Sequence, residues 1–196
     1  FPNLPHLHGA HCSAIVLVGQ MSQWVAANPK YIEISLSIVM RSFSMKVNFN
    51  PNYPLKLKQN HVGAIAFEKL ARDCSDVFFS KKPNYFLSLC KKLWAQQEII
   101  LEDRRDTMMV LNGLCYAASS ITNSDIPQTV VEEMLLAPLI PIFKVAANQA
   151  NSSATISSSD LMFACKCLQI IFTSYKPTTY TTVEGIQHGW HSLLFI

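Results

Sequence analysis

The sequence predicts an all-α protein built from about four repeated pairs of antiparallel helices. Three observations predict this fold. Amphipathic segments begin near His11, Lys58, Arg104 and Ser159, so a similar unit recurs at intervals of 47, 46 and 55 residues. Few segments alternate between apolar and polar residues, as a half-buried strand would. Most prolines lie at the junctions between predicted helices, where they end or begin a helix.

The composition agrees with helices that stack on one another. Hydrophobic residues make up 49% of the chain and charged residues 15%, whereas about 25% of a typical soluble domain is charged. Two-helix units of about 40–47 residues are the period of HEAT and armadillo repeats, which stack into solenoids. We predict a single HEAT-type α-solenoid array whose end units expose apolar surface. Its repeats are predicted near residues 11–45, 58–95, 104–148 and 159–196.

The first unit is predicted as two helices separated by Asn28-Pro29. Its first helix runs from His11 to Ala27 and its second from Lys30 to Met45, because the residue before a proline avoids the helical region. Ile34 is among the apolar residues predicted for the second helix. The apolar stripe of the first helix is predicted at spacings of three and four residues: Ala14, Leu17, Val18, Met21 and Val25.

The second unit follows a loop from Lys46 to Lys56. Its first helix is predicted from Lys58 to Cys74 and its second from Asn84 to Trp94. Apolar residues again recur on one face of the first helix: Val62, Ile65, Ala66, Leu70 and Cys74.

The third unit is predicted to contain helices over Arg104–Ile121 and Gln128–Asn148. Pro138 and Pro141 lie inside the second of these helices and predict a kink or a break there. A Ser-rich loop over 151–159 then leads into the fourth unit. Its helices are predicted from Asp160 to Ser174, with Leu161 on the buried face, and from Val183 to the last residue, including Trp190 and Leu193.

Charge, hydropathy and cysteine content narrow the classes of protein. The net charge of +3 is too small to predict direct nucleic-acid binding. The longest apolar stretch, Met134–Phe143, has 10 residues, and a membrane span needs about 20. Most of the six cysteines lie in apolar stripes, so we predict buried, reduced thiols in a cytosolic or nuclear protein. Because the chain begins at Phe1, we expect it to be a piece of a longer polypeptide.

No residue pattern predicts catalysis, a cofactor or a metal site. The cluster of His6, His8, His11 and Cys12 lacks the second half that a zinc site would need at a recognisable spacing. Cys12 and His11 are adjacent on a helix and do not face each other, so a nucleophile and base are not predicted there. Core packing is predicted for Cys165 of the Cys-x-Cys pair, and a partly exposed helix face for His188 and His191. We therefore predict that the chain is not an enzyme.

Two acidic clusters leave alternatives open. The residues are Glu98, Glu102, Asp103 and Asp106 in the first cluster, and Asp125, Glu132 and Glu133 in the second. Solvated helix ends are the favoured interpretation, because the helix dipole stabilises acidic groups near helix N-termini. The other interpretation is a docking strip for a basic partner.

The segment Leu17-Val-Gly-Gln-Met-Ser-Gln-Trp-Val25, closing with Asn28-Pro29, resembles the nuclear transport receptors of the importin-β (karyopherin-β) superfamily. The nearest branch is that of transportin-SR and importin-thirteen. Further segments of the chain resemble later helices of these receptors, in the same order. They are Ala64–Cys74, Thr107–Ala118, Asp160–Pro177 and Gly185–Leu194. The resemblance implies a middle-to-C-terminal section of such a receptor.

The resemblance also implies a function. Such a receptor binds protein cargo on a concave surface lined by second helices, is regulated by the GTPase Ran, contacts FG nucleoporins and shuttles between nucleus and cytoplasm. Arg/Ser-rich splicing factors are the cargo of this branch, and no direct contact with nucleic acid or membrane is implied. The charged residues of the second helices that we expect to meet cargo are Glu33, Arg41, Lys91, Lys92, Glu132 and Glu133.

A HEAT-repeat scaffold outside nuclear transport is the alternative function. Examples are a regulatory subunit of a kinase or phosphatase, or a trafficking adaptor. The repeat pattern alone fits this class equally well, and Ran binding distinguishes the two.

Overall fold

The computed structural model describes residues 8–44, 59–95, 103–121, 126–148 and 157–176, and every regular element in these ranges is helical. The all-α prediction is therefore confirmed. The helices are α1 His8–Gln20, α2 Ser22–Ala27, α3 Ile32–Ser44, α4 Gln59–Cys74, α5 Pro83–Ala95, α6 Arg104–Ser119, α7 Gln128–Leu136, α8 Ile140–Asn148 and α9 Ser158–Ser174.

Helices α1 and α2 form nearly one continuous helix. The amide of Met21 donates to the carbonyl of Leu17 at 2.9 Å, and the amide of Val25 donates to Met21 at 2.8 Å. The helical hydrogen-bond pattern thus continues through Met21, as the sequence predicts. A short 3₁₀ turn, Pro29–Tyr31, then reverses the chain before α3.

The prolines of the third unit break the predicted helix at the predicted place. Pro138 lies in a 3₁₀ turn, Ala137–Leu139, and Pro141 is the second residue of α8. In the first turn of a helix the missing amide of proline costs nothing, because that amide has no partner within the helix. The segment from Gln128 to Asn148 is therefore two helices, α7 and α8, joined by a tight turn.

Side-chain caps fix where α6 and α9 begin. Asp103 accepts a hydrogen bond from the amide of Arg105 at 3.0 Å. Ser157 Oγ accepts from the amide of Asp160 at 3.0 Å and donates to the carboxylate of Asp160 at 2.6 Å. Each cap satisfies a donor that the first helical turn leaves unpaired.

The first helices of successive units pack side by side. Helices α1 and α2 contact α4, α4 contacts α6, and α6 contacts α9. Helix α3 packs against α4, while α5 contacts α6 and α7. One continuous apolar core runs through these contacts, and its largest fully buried side chains include Phe43, Phe67, Phe79 and Phe86.

Several residues that the stripes placed in the core are exposed. Leu17 is 58% exposed and Leu161 is 56% exposed; Met21 and Ile65 also lie at the surface. Helix α1 has apolar residues around most of its circumference, so periodicity alone does not decide which face is buried. The face that packs on α4 is formed by smaller side chains, among them Gly19 and Ser22.

Candidate partner-binding surface

Small residues bring the backbones of neighbouring first helices close together. A Cβ added to Gly19 would lie 2.9 Å from Cα of Ala66, and one added to Gly113 would lie 3.1 Å from Cα of Glu68. Ala66 follows Gly19 by 47 residues, and Gly113 follows Glu68 by 45. The interval seen in the sequence is thus close to the interval between contact points of adjacent helices.

Polar pairs join the same helices. Ser22 Oγ donates to Asp73 Oδ2 at 2.6 Å, between α2 and α4. Burial raises the pKa of Asp73, but the hydrogen bond from Ser22 and the neighbouring Arg72 outweigh burial, so that pKa lies below its ordinary value. Between α4 and α6, His61 Nδ1 lies 2.6 Å from Asp106 Oδ1. These pairs fix the lateral register of the helices.

Two residues of the first acidic cluster lie in the described ranges. Asp103 caps α6, and Asp106 is almost wholly buried beside His61. The buried Asp106 carboxylate is not available to a basic partner, so the docking-strip interpretation is wrong for that residue.

Arg104 connects α6 to the start of α9. Its guanidinium donates to the carbonyl of Ser159 at 2.6 Å, pairs with Asp160 and lies 5.3 Å from the ring centre of Phe163. The hydrogen bonds of Ser157, together with Arg104, lower the pKa of Asp160 despite some opposing desolvation. Arg104 and Ser159 are 55 residues apart, which matches the last interval in the sequence.

Second helices are joined by fewer but specific contacts. Trp94 Nε1 on α5 donates to the carbonyl of Met134 on α7 at 2.8 Å. Lys82, just before α5, pairs with Glu33 on α3, and both side chains are about half exposed. These contacts set the spacing of the surface on which the predicted partner-binding residues lie.

Five of the six predicted partner-binding residues lie on the surface of second helices. Arg41, Lys91, Lys92 and Glu133 are exposed, and Glu33 is exposed but paired with Lys82. They lie on α3, α5 and α7, which are the second helices of their predicted units.

Glu132 does not belong to this surface. It is 7% exposed, and its Oε1 accepts a hydrogen bond from Gln128 Nε2 at 2.7 Å. Glu132 follows Val131 on the side of α7 that turns toward the core, whereas Glu133 turns outward. The sequence did not reveal this, because the two carboxylates are adjacent and α7 carries no strong apolar stripe.

Exposed apolar side chains concentrate at the two ends of the described array. In the described ranges from α4 to α7, a single large hydrophobic side chain is exposed, that of Ile65. The others are Val16, Leu17, Met21, Trp24, Tyr31 and Ile34 on the first unit, and Ile140, Val145, Leu161, Met162 and Phe172 on α8 and α9. That the end units expose apolar surface stays a prediction, because residues 177–196 of the last unit lie outside the described ranges.

An exposed aromatic pair was missed by sequence reasoning. The rings of Trp24 and Tyr31 stack at 5.3 Å with an angle of 22° between their planes, and Lys30 Nζ lies 5.0 Å from the centre of the Tyr31 ring. Asn28-Pro29, which lies between the two rings in sequence, was read only as a helix stop. The signal available in the sequence was a proline, which can reverse the chain, placed between two aromatic residues.

The cysteines behave mainly as core residues. Five of the six are buried, and burial raises the pKa of Cys74 and Cys167 to about 12 and that of Cys90 and Cys115 further. Such thiols stay protonated near neutral pH and are poor nucleophiles or metal ligands. Cys165 is exposed, so its predicted core packing is wrong: α9 packs on α6 through the side that carries Cys167.

The described ranges hold no cluster of three or more metal-ligating side chains, and none of their helices is long and apolar enough to cross a membrane. An open cleft of about 250 Å³ lies where α4, α6 and α9 end. Ser75, Ser119 and Thr173 line it and donate to carbonyls of their own helices. This arrangement offers no paired nucleophile and base.

Some predictions concern residues outside the described ranges. They are the roles of His6, Glu98, Glu102, Asp125, His188 and His191, the loops over 46–56 and 151–156, and the helix from Val183 onward.

Comparison with known proteins gives no family model, curated protein or solved structure that matches the chain. The resemblance to the importin-β superfamily therefore stays a prediction, and function is argued from the geometry above.

Proposed function

We propose that this chain is a section of a HEAT-type α-solenoid that binds a protein partner through its second helices. The observation that carries the proposal is the close approach of neighbouring first helices at Gly19, which meets Ala66 47 residues later, and at Gly113, which meets Glu68 45 residues earlier. Contact of each unit with the next is the defining property of solenoid repeats, and the surface of such arrays serves extended protein partners.

The charges on the second helices favour an acidic or phosphorylated partner segment. Lys91 and Lys92 are exposed near the end of α5, a helix whose sequence contains no acidic residue. Arg41 on α3 and Lys144 on α8 add exposed positive charge. Because Glu33 is already paired with Lys82, the exposed charge that remains is mainly basic, and complementary charge on a partner would steer its association.

Charge removal tests this surface. Lys91→Gln and Lys92→Gln in one chain should weaken binding of an acidic partner captured from cell extract, and the loss should shrink as salt is raised. Arg105→Gln is the matched control, because Arg105 is also exposed but lies on a first helix. Equal binding by the double variant and the control would contradict the assignment of α5.

Within this class, we propose a nuclear transport receptor of the importin-β superfamily. The ordered resemblance from Leu17 to Leu194 supports it, and the stacked first helices are compatible with it. Cargo would bind the second helices, Ran-GTP would regulate that binding, and contacts with FG nucleoporins would carry the complex between cytoplasm and nucleus. A scaffold or adaptor outside transport is the second candidate, because the same helix contacts fit it.

A pull-down of the full-length protein with and without GTP-loaded Ran separates the two candidates. For an import receptor, Ran-GTP should release the captured cargo. Cargo that stays bound in both conditions, together with no retention of Ran itself, would favour the scaffold and contradict the transport proposal.

A further inference from the structure

The open cleft of about 250 Å³ has a polar lining that the function proposed above does not use. Helices α6 and α9 end at this cleft with Ser119 and Ser174, and a π-helical turn, Ser75–Phe79, continues α4 beside them. Carbonyl groups in the last turn of a helix lack partners within that helix. Three neighbouring segments thus bring polar groups to one place on the surface.

Hydroxyl groups in the lining face the cleft as acceptors. Four of them donate their proton to a carbonyl of their own helix, at distances of 2.8–3.0 Å. They are the hydroxyls of Ser75, Ser119, Ser120 and Thr173. Because a hydroxyl has one proton and two lone pairs, these oxygens can only accept from a further partner. Ser119 Oγ already accepts from the amide of Lys176 at 2.8 Å, which shows this use of the lone pairs.

The charge around the cleft is negative. Asp76 lines it with a carboxylate that forms no ion pair with another residue of the described ranges. The ends of α6 and α9 each add about half a negative charge through the helix dipole. Lys176, also in the lining, is exposed, and the nearby Arg72 is paired with Asp73 at 2.9 Å. Lys176 offsets Asp76, so the two helix ends leave the cleft negative.

We propose that this cleft binds the ammonium group of a lysine side chain from a protein partner. Acceptors and negative charge together favour a positively charged hydrogen-bond donor. An ammonium group donates three hydrogen bonds without a fixed plane, and here the acceptors lie on three separate segments. A guanidinium is a planar fork that matches the paired oxygens of a carboxylate or phosphate, whereas most of the acceptors here are single hydroxyl oxygens.

The size of the cleft favours a side chain over a free small molecule. Sites for small molecules commonly measure about 300–1,000 Å³ and enclose most of the ligand. This cleft is smaller and open to solvent, so it would enclose little of a free molecule. A side chain can enter it while the backbone of the partner stays outside. The site lies at the ends of first helices and does not depend on which partner the second helices bind.

Titration of the full chain with short peptides tests the proposal, with the backbone amide NMR signals of Ser119, Ser120 and Lys176 as the readout. Acetyl-Gly-Lys-Gly-amide should shift these signals, and the same peptide with Nε-acetyl-lysine, which has no charge, should not. Equal shifts by the two peptides would overturn the proposal. An arginine peptide that binds as tightly as the lysine peptide would contradict the choice of an ammonium group. Binding of 1,5-diaminopentane that is tenfold tighter than that of the lysine peptide would show a small-molecule site instead.

Variants of the lining test the sign of the charge. Asp76→Asn should raise the dissociation constant of the lysine peptide about two- to fivefold, as for an exposed ion pair. Thr173→Val removes an acceptor hydroxyl and should also weaken binding, whereas Lys176→Gln removes a like charge and should strengthen it. Glu133→Gln is the matched control, because Glu133 is exposed on α7 and does not line the cleft.

These side chains lie at the surface, and an otherwise unchanged amide spectrum shows that each variant is folded. Weaker binding by Lys176→Gln would show that the cleft takes an anion and would overturn the proposal. Equal losses in Asp76→Asn and Glu133→Gln would overturn it as well, because the peptide would then respond only to the net charge of the protein.

Discussion

Gly19 and Ala66 lie so close together that a Cβ on Gly19 would stand 2.9 Å from Cα of Ala66. Helices α1 and α4 therefore meet backbone to backbone at this point. The two residues are 47 positions apart. Gly113 makes a similar approach of α6 to α4, at Phe67 and Glu68, which lie 46 and 45 residues earlier. Neighbouring first helices therefore meet at small residues, at nearly the interval seen in the sequence.

Replacement of Gly113 by alanine should destabilise the protein. Alanine in a helix interior normally stabilises by roughly 0.5–1 kcal/mol relative to glycine. Here its Cβ would lie 3.0 Å from the Phe67 ring and 3.1 Å from the Glu68 backbone, and overpacking of this kind costs about 1–3 kcal/mol. We expect a net loss of about 1 kcal/mol in urea unfolding. Ser88→Ala, at an exposed position of α5, is the control, and a stabilised Gly113→Ala would contradict the close contact.

Gly63 and Ser42 provide a test that includes its own rescue. A Cβ on Gly63 would lie 1.8 Å from Ser42 Oγ, in the buried contact between α4 and α3. Gly63→Ala should lower the free energy of unfolding by about 2 kcal/mol or more. Adding Ser42→Gly removes the clashing side chain and should restore more than half of the loss, because residues in contact are not additive. Failure of this rescue would show that α3 does not pack on α4 as described.

Asp73 should make stability fall in acid. Its pKa is lowered in the folded protein, so its ionised form stabilises the fold above the unfolded pKa of about 3.9. That contribution is lost as the pH falls through the folded pKa. Asp73→Asn should therefore reduce stability at pH 7, by about 1–3 kcal/mol for a lost hydrogen bond to a charged group, and should flatten the acid side of the stability profile. A stability difference between the two proteins that does not shrink as the pH falls from 7 into the acid range would refute the role of Asp73.

The elements of the fold were largely predictable, but the buried faces were not. Proline positions and spacing located the helix pairs, and Pro138 with Pro141 located the break between α7 and α8. Burial of α1 was misjudged, because Leu17 looked like a core residue while Gly19 carries the contact. A pattern of hydrophobic residues gives no weight to a glycine, even where its missing side chain lets two helix backbones approach. The close packing of α1 on α4 was therefore not predictable from the sequence.

Trp94 should contribute to the contact between second helices. Its Nε1 donates to the carbonyl of Met134 at 2.8 Å, and its side chain is mostly buried. Trp94→Phe removes this donor and should cost about 1–3 kcal/mol, which includes the carbonyl left without its partner. Trp24→Phe is the matched control, because the Trp24 ring is exposed and phenylalanine retains the stack on Tyr31. Equal losses in thermal unfolding of the two variants would contradict the role assigned to Trp94.

The candidate surface was predicted in its location but not in every residue. The prediction selected charged residues on the second helices. Among them, Arg41, Lys91 and Lys92 are exposed. It also included Glu132, whose carboxylate turns inward to Gln128. A choice between two adjacent carboxylates depends on the rotation of α7 against its neighbours, and that rotation follows from tertiary packing.

An engineered disulfide between residues 19 and 66 tests whether α1 and α4 meet at Gly19 and Ala66. Gly19→Cys with Ala66→Cys should cross-link within one chain under mild oxidation, because only a small separation of the helices brings the two Cβ atoms from 3.0 Å to the spacing of a disulfide, about 3.5–4.5 Å. Gly19→Cys with Ile65→Cys is the control, since Ile65 is exposed on another side of α4. Mass spectrometry of the digested protein should find the 19–66 link and no 19–65 link. Absence of the 19–66 link, or equal yields of both, would contradict stacking of neighbouring first helices at the 47-residue interval.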